Sequence, residues 1–438
     1  MTPSRRRLVL RWTLLGGGLL TLLIVHYIGK WSPGDDEVRY KGELTTYLYG
    51  ASRMIDGREI YRPDEYAPFS YPPAAAIPFM PLLGLGRVAK VVAWFLISVS
   101  LVAGSIFVLG RTVARWIPER GSRPRPVWFL WVAVALLAGR HIAAALENKS
   151  HDVYMLMFIV VLARFAAAGR ELGAAAMAAV GAAFKATPLL FLPTFVWQRR
   201  FKAAAAMVAV TAVLCLLPDV FWPRDDGGSW AKAWVTTFVM KVSPGAVADH
   251  AHTWSPWNPL NQSLAGTINR LATQPGPTSR DVWPITPLTL SGTPLKLITL
   301  AAQGAVFVLL LWATRRRRAG DASESDAAFR RFGEVGAVAC AMVLLSPMSS
   351  KSNFCVLLVP LTFCAIAYFY RGGGRALGIQ LLMIALIGNL TVKGVLGIKA
   401  GTVALSCGSV TLCTLLTLTA TCQILLRPPA PASVSGGA

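Results

Sequence analysis

The sequence predicts an all-α, polytopic membrane protein with about twelve transmembrane helices. Three observations support this fold class. Of the 438 residues, 54% are hydrophobic and only 15% are charged, whereas soluble domains have about 45–50% and about 25%. Since one span takes about 20 apolar residues, about twelve would use most of the apolar residues. The apolar runs also end in basic residues. These features exclude a soluble enzyme with one anchor, a disordered chain and a secreted disulfide scaffold.

The charge pattern predicts which side of the membrane each segment faces. The 43 basic and 21 acidic residues give a formal net charge of +22. The basic residues stand at the ends of apolar runs, as the positive-inside rule describes for cytoplasmic loops, and most acidic residues fall in the opposite, outer segments. The charge therefore reflects topology. We expect no nucleic-acid partner, and chemistry on the outer face.

The first elements along the chain are a helix and a polar loop. A helix at 8–28 follows Arg5, Arg6 and Arg7, and it is expected to stay uncleaved with its N-terminus inside. The segment 29–71 forms a first outer loop. The apolar run 74–85 is too short to cross the bilayer and is predicted to be re-entrant or interfacial.

The remaining apolar runs predict the other spans. Most are bounded on one side by basic residues and on the other by polar or acidic ones, and they lie at 87–109, 127–145, 153–168, 172–186, 189–197, 203–217, 296–312, 332–345, 354–370, 376–391 and 401–426. A long outer loop occupies 218–294. Residues 1–427 are thus expected to form one integral membrane domain, with both termini cytoplasmic and a disordered tail at 428–438.

The seven cysteines lie in or beside apolar runs, without CxxC or metal-ligand spacing. We interpret them as buried small hydrophobes. No metal site or cofactor is predicted, although the residues leave a divalent cation open.

A short helix in the first outer loop carries the best candidate for a catalytic base. Glu43, Tyr47, Gly50, Ala51 and Met54 recur at helical spacing, and Gly57 is placed as a C-terminal stop. A helix at the membrane surface would leave the Glu43 carboxylate partly desolvated, which raises its pKa and makes it a better base.

The motifs of this loop resemble the opening signature of glycosyltransferase family 87. The resemblance rests on Glu43 to Tyr47, Gly50 to Ser52, Gly57, Tyr61, Phe69 to Pro73 and Pro81-Leu82, and it continues at Gly181 to Pro188, Asn261 to Arg270 and Leu345 to Ser349. It covers most of the chain. The family usually has Asp in place of Glu43, a Gly-Gln-x-Asn turn where His151 to Tyr154 stand, and a His near Lys351 to Asn353.

The resemblance implies a GT-C-like fold and an inverting transfer from a polyprenyl-phosphate sugar. Glu43 would be the base, with Asp35 and Asp36 as alternates. The departing phosphate needs cations, for which Arg270, Lys351 and Lys185 are candidates. Asn261 and Gln262, together with Tyr47 and Tyr71, would contact sugar or acceptor.

The turn at Glu147 to Asp152 adds polar side chains where a span meets the outer surface. His151 and Asp152 are therefore candidates for binding sugar hydroxyls or a divalent cation.

The sequence as a whole favours a plasma-membrane glycosyltransferase that moves a sugar, expected to be mannose, from a polyprenyl-phosphate carrier to a lipid-linked or cell-envelope glycan acceptor outside. A lipid-linked saccharide transporter is the alternative, but it requires a charged path through the bilayer midplane. Apart from Lys185, Glu334 and some residues at span ends, the apolar runs lack such charges. A catalytically silent envelope scaffold is the third hypothesis.

Overall fold

The structure is a computed structural model that describes residues 43–65, 68–117, 127–241, 257–273, 289–316 and 323–427. Within these ranges the secondary structure is helical and contains no strand. The predicted first span at 8–28, the alternate bases Asp35 and Asp36, and the tail at 428–438 lie outside the described residues.

The helices follow one another with short connections. In chain order they are α1 (Leu44–Ile55), α2 (Met80–Leu83), α3 (Arg87–Val113), α4 (Val127–Glu147), α5 (Asp152–Ala167), α6 (Glu171–Phe184), α7 (Phe191–Trp197), α8 (Phe201–Phe221), α9 (Trp230–Trp234), α10 (Leu264–Ala272), α11 (Gly292–Thr314), α12 (Glu324–Leu345), α13 (Leu358–Tyr370), α14 (Arg375–Leu390), α15 (Lys393–Ser406) and α16 (Ser409–Leu426). Tighter 3₁₀ segments precede three of them, at Pro73–Phe79, Thr187–Leu190 and Lys351–Leu357.

Six helical segments of the described residues are long and apolar enough to cross a membrane, and the pair α14 and α15, bent by 91°, could form a seventh crossing. Several predicted spans form shorter helices instead: α6 has 14 residues, about 21 Å at 1.5 Å per residue, against a hydrocarbon core of about 30 Å. The multi-pass character is therefore confirmed, but the count of twelve is not, because hydropathy measures apolar runs and not helix lengths.

One predicted span, at 401–426, is divided in the structure. α15 ends at Ser406 and α16 begins at Ser409, and between them Gly408 has a φ of +77°. A Cβ at Gly408 would overlap the side chain of Thr267. The predicted span is therefore confirmed only for Ser409–Leu426, which is long and apolar enough to cross a membrane, since a glycine in the left-handed region interrupts the helix before it.

The core lies around α12, α13 and α5, whose side chains are buried on nearly every face. Small residues let these helices approach closely: Gly333 on α12 faces the ring of Phe363 on α13, and Gly336 faces Pro360. Close approach at small residues is the usual basis of helix association in membranes, where lipid removes the hydrophobic driving force between helices.

The connections gather at two ends. One, here called the Glu43 end, joins Glu43 to the turn at 147–151, to Lys185 and to the segment 346–353. At the other, the Arg331 end, Arg331 donates to the Ala166 carbonyl and Arg371 pairs with Asp326. Turns predicted to share a side of the membrane thus meet at the same end.

Candidate active site

The helix α1 has the buried face that the sequence predicts. Tyr47, Gly50, Ala51 and Met54 are buried on one side, and Gly57, with a φ of +65°, follows its last turn. A Cβ on Gly50 would lie 2.5 Å from Cδ2 of Phe69. The glycine therefore allows α1 to lie against the Phe69 segment and fixes Glu43, just before its first turn.

The Glu43 carboxylate receives three hydrogen bonds. Oε1 accepts from Asn148 Nδ2 at 2.7 Å, and Oε2 accepts from the Ser150 hydroxyl at 2.8 Å and from the Tyr47 phenol. The backbone N–H of Glu43 donates to the Asn148 carbonyl at 2.9 Å. The turn between α4 and α5 is thus shaped around this carboxylate, with Lys149 in the left-handed region at a φ of +53°.

The Ser150 hydroxyl connects Glu43 to an ion pair between Asp152 and Lys185. The Ser150 hydroxyl is also 2.7 Å from Asp152 Oδ2, and Lys185 Nζ donates to Asp152 Oδ1 at 2.8 Å. Lys185 also donates to Asn353 Oδ1 at 2.9 Å. Lys185 ends α6 in an extended conformation, with φ −156° and ψ 130°, so its side chain leaves the helix towards Asp152.

Aromatic rings cover the carboxylate on one side. His151 stands between Tyr47 and Tyr71, with ring centroids 4.8 and 4.3 Å away. Its Nδ1 lies 2.6 Å from the Tyr47 hydroxyl, and burial lowers the pKa of His151 to about 3. Because Tyr47 donates to Glu43, the neutral imidazole donates from Nδ1, which leaves Nε2 as an acceptor. That Nε2 is buried without a hydrogen-bond partner among the described residues.

The environment of Glu43 favours its protonated form. Burial raises the pKa of this carboxyl above its usual value, and the charge of Asp152 raises it further. Lys185 and the hydrogen bond from Tyr47 act in the opposite direction, as would a Ser150 hydroxyl that only donated to ionised Glu43. The sequence argument for a desolvated carboxylate with a raised pKa agrees with this geometry.

Lys351 lies near two other basic residues. It begins the segment that leads to α13, and Arg140 and Lys393 lie close enough to repel its ammonium group, whereas Glu147 attracts it. Within the described ranges the Lys351 ammonium group has no hydrogen bond or ion pair. A set of like charges held together in this way can bind an anion.

Arg270 holds backbone instead. It is 3% exposed, and its guanidinium donates to the carbonyls of Ser406, Asn258 and Asn261 at 3.1, 3.0 and 2.6 Å. The bond to Ser406 ties α10 to α15, and the other two hold the segment before α10. The guanidinium is therefore engaged by backbone carbonyls in this structure, and its role towards the donor phosphate stays a prediction.

Asn261 and Gln262 have similar structural partners. Asn261 Oδ1 accepts from the backbone N–H of Ser349 at 3.1 Å, and Gln262 Nε2 donates to the Leu405 carbonyl at 2.7 Å. Neither side chain has a hydrogen bond to Glu43, Asp152 or Lys185. Asn261 does position the 346–353 segment that carries Asn353.

Sequence reasoning missed Asn148, Ser150 and Asn353 as members of the site. Asn148 and Ser150 stand out in the sequence only as a short Asn-Lys-Ser pattern beside the polar residues His151 and Asp152. That adjacency was the one available signal. Among the described residues, no three His, Cys, Asp or Glu side chains form a group that could hold a metal ion.

Comparison with known proteins adds independent findings. The sequence model of glycosyltransferase family 87 matches residues 69–347. A polyprenol-phosphate-mannose-dependent alpha-(1-2)-phosphatidylinositol mannoside mannosyltransferase of Mycobacterium tuberculosis is 27% identical over 372 residues, which cover 81% of this chain and 76% of that protein. The Mycolicibacterium smegmatis protein with the same description is 24% identical over 368 residues, with the same coverage. No solved structure matches significantly.

Proposed function

The chain belongs to glycosyltransferase family 87, and from that membership we propose that it transfers mannose from a polyprenol-phosphate carrier to a lipid-linked or cell-envelope glycan acceptor. The donor class follows from the two mycobacterial relatives, which are described as polyprenol-phosphate-mannose-dependent. Their described acceptor, a phosphatidylinositol mannoside, is the first acceptor to test.

The observation that carries the mechanism is the buried carboxylate of Glu43, held by Asn148, Ser150 and Tyr47. We propose that Glu43 removes the proton of the acceptor hydroxyl. The oxygen then attacks C1 of the sugar while the bond from C1 to the phosphate oxygen breaks, so the configuration inverts. The phosphate leaves with the electron pair and needs no general acid, provided that cations balance its charge.

Lys351 is the proposed cation for the donor phosphate, with Arg140 and Lys393 adding to the local positive potential. Lys185 is the second candidate, because its ammonium lies beside Asp152 and Asn353 next to Glu43. We leave Arg270 out of this proposal because its donors are used by carbonyls.

The sugar and the acceptor would bind on the aromatic side of the site, at His151 and Tyr71. His151 Nε2 has no partner among the described residues, and it could accept a hydrogen bond from a sugar hydroxyl. Tyr71, whose ring lies 4.3 Å from that of His151, would offer a face to the sugar ring.

The proposed orientation places the Glu43 end outside and the Arg331 end in the cytoplasm. Support comes from the arginines at the Arg331 end, including Arg200, Arg331 and Arg371, as the positive-inside rule describes. Both termini would then be cytoplasmic, in a plasma membrane.

The test is mannosyl transfer by the full chain in lipid nanodiscs, with labelled polyprenyl-phosphate-mannose and phosphatidylinositol mannoside. We expect wild type and the exposed-acid control Asp64→Asn to form product, and Glu43→Gln to lose at least 100-fold in rate, since general base catalysis contributes about 10²–10⁴-fold. Glu43→Asp, which restores the residue usual in the family, should keep measurable activity. Full activity of Glu43→Gln would remove Glu43 from the mechanism, and movement of labelled lipid without transfer would favour the transporter.

A further inference from the structure

Ser150 lies between two carboxylates. Its hydroxyl oxygen is 2.8 Å from Glu43 Oε2 and 2.7 Å from Asp152 Oδ2, and it accepts the backbone N–H of Asp152 at 3.2 Å. Ser150 is fully buried and Asp152 is 1% exposed. Both distances are those of good hydrogen bonds between oxygens.

A count of protons shows what this arrangement requires. A serine hydroxyl has one hydrogen, so with both carboxylates ionised it can donate to only one of them, and the other contact brings lone pairs together. If one carboxyl carries a proton, that carboxyl donates to Ser150 and Ser150 donates to the other, and both contacts are hydrogen bonds. Because the ammonium of Lys185 pairs with Asp152 at 2.8 Å, the carboxyl that gains the proton is Glu43.

We propose that Asp152 is the second carboxylate of the base, sharing through Ser150 the proton that Glu43 takes from the acceptor. The inference rests on the proposed role of Glu43. Before transfer the Ser150 hydroxyl donates to ionised Glu43. The acceptor O–H bond then breaks, its proton bonds to a Glu43 oxygen, and its electron pair forms the new bond to C1 as the phosphate leaves. Ser150 rotates to donate to Asp152 and accepts from the new Glu43 O–H. Asp152 and Ser150 are positioning residues, since neither touches substrate in this scheme.

The charged and titratable groups around Glu43 agree with Glu43 as the carboxyl that gains the proton. Tyr47 faces it from α1, Tyr71 from the segment before Pro73, His151 and Asp152 from the start of α5, and Lys185 from the end of α6. Tyr47, Tyr71 and His151 are uncharged at neutral pH, since burial raises the pKa of each tyrosine well above its usual value and lowers that of His151. Among the described residues, the Asp152–Lys185 pair therefore supplies the charges that act on Glu43.

The experiment measures protonation of Glu43 without substrate. Dicyclohexylcarbodiimide reacts with protonated, buried carboxyl groups, so labelling of Glu43 in the full chain is followed against pH by mass spectrometry of its peptide. We expect the midpoint to fall by about one pH unit in Ser150→Ala, because the protonated state loses two hydrogen bonds and the doubly ionised state only one. Asp152→Asn should lower it by about the same or more, through loss of charge.

The controls distinguish a Ser150 that bridges the two carboxyl groups from a Ser150 that only donates a hydrogen bond to Glu43. If Ser150 only donated to an ionised Glu43, Ser150→Ala would raise the midpoint, and a raised or unchanged midpoint overturns the proposal. Ser150→Thr should restore the wild-type midpoint, and Ser98→Ala, at a buried serine bonded to the Trp94 carbonyl, should leave it unchanged. If Asp152→Asn does not fold, the direction of the midpoint shift in Ser150→Ala decides between the two roles. Since no transfer is measured, a failure of Glu43 as the base in the nanodisc assay would be seen separately.

Discussion

Replacement of Lys351 by methionine tests the proposed phosphate site. Methionine keeps most of the length and apolar volume of the side chain but removes the charge. Arg140 and Lys393 repel the Lys351 ammonium, so an anion bound there would relieve that repulsion. A charge-assisted hydrogen bond contributes about 1.5–3 kcal/mol, which corresponds to about 10- to 150-fold in kcat/KM for the donor.

The assay is the rate of mannosyl transfer at varied donor concentration and saturating acceptor. We expect Lys351→Met to lower kcat/KM for the donor within that range, and to make the rate less sensitive to added salt. Lys202→Met, which removes an exposed lysine at the start of α8, is the matched control and should behave as wild type. An unchanged kcat/KM in Lys351→Met, with the protein folded, would refute the reasoning and direct attention to Lys185.

Two further predictions concern the same end of the fold. Tyr47→Phe removes a donor to ionised Glu43 and should therefore raise the pKa of Glu43. Because the proposed base works in its ionised form, the acidic limb of the pH–rate profile should move to higher pH. A shift to lower pH would contradict the assignment of Glu43. Arg270→Met leaves the carbonyls of Ser406, Asn258 and Asn261 without their donor. It should lower the free energy of unfolding by about 3 kcal/mol, measured by thermal unfolding in detergent, while the KM for the donor stays within about twofold of wild type. A large rise in KM with normal stability would instead assign Arg270 to the phosphate site.

Part of the active site was predictable because it lies within one short segment. The face of α1 with Tyr47, Gly50 and Met54, and the stop at Gly57, follow from helical periodicity and from the conformational freedom of glycine. Periodicity reports which residues share a face, and residues a few positions apart on a helix must lie together whatever the rest of the chain does.

The surroundings of Glu43 were less predictable. Asn148 and Ser150 are more than 100 positions from Glu43 in the sequence, and nothing local distinguishes a serine that bridges two carboxylates from a serine in a turn. For Arg270, the local sequence suggests a partner that differs from the one in the fold. Its sequence neighbourhood suits an anion-binding cation, but three backbone carbonyls occupy its guanidinium in the fold.

The sequence by itself determined the membrane class and the family, and it predicted which turns gather at the same end, since these depend on composition, motifs and the positions of basic residues along the chain. Only the tertiary structure decided which polar groups meet. It paired Lys185 with Asp152, left Lys351 among like charges and divided the last predicted span at Gly408. The physical reason is that hydrogen bonds and ion pairs act over a few ångströms between residues distant in sequence, so their partners are fixed by helix packing.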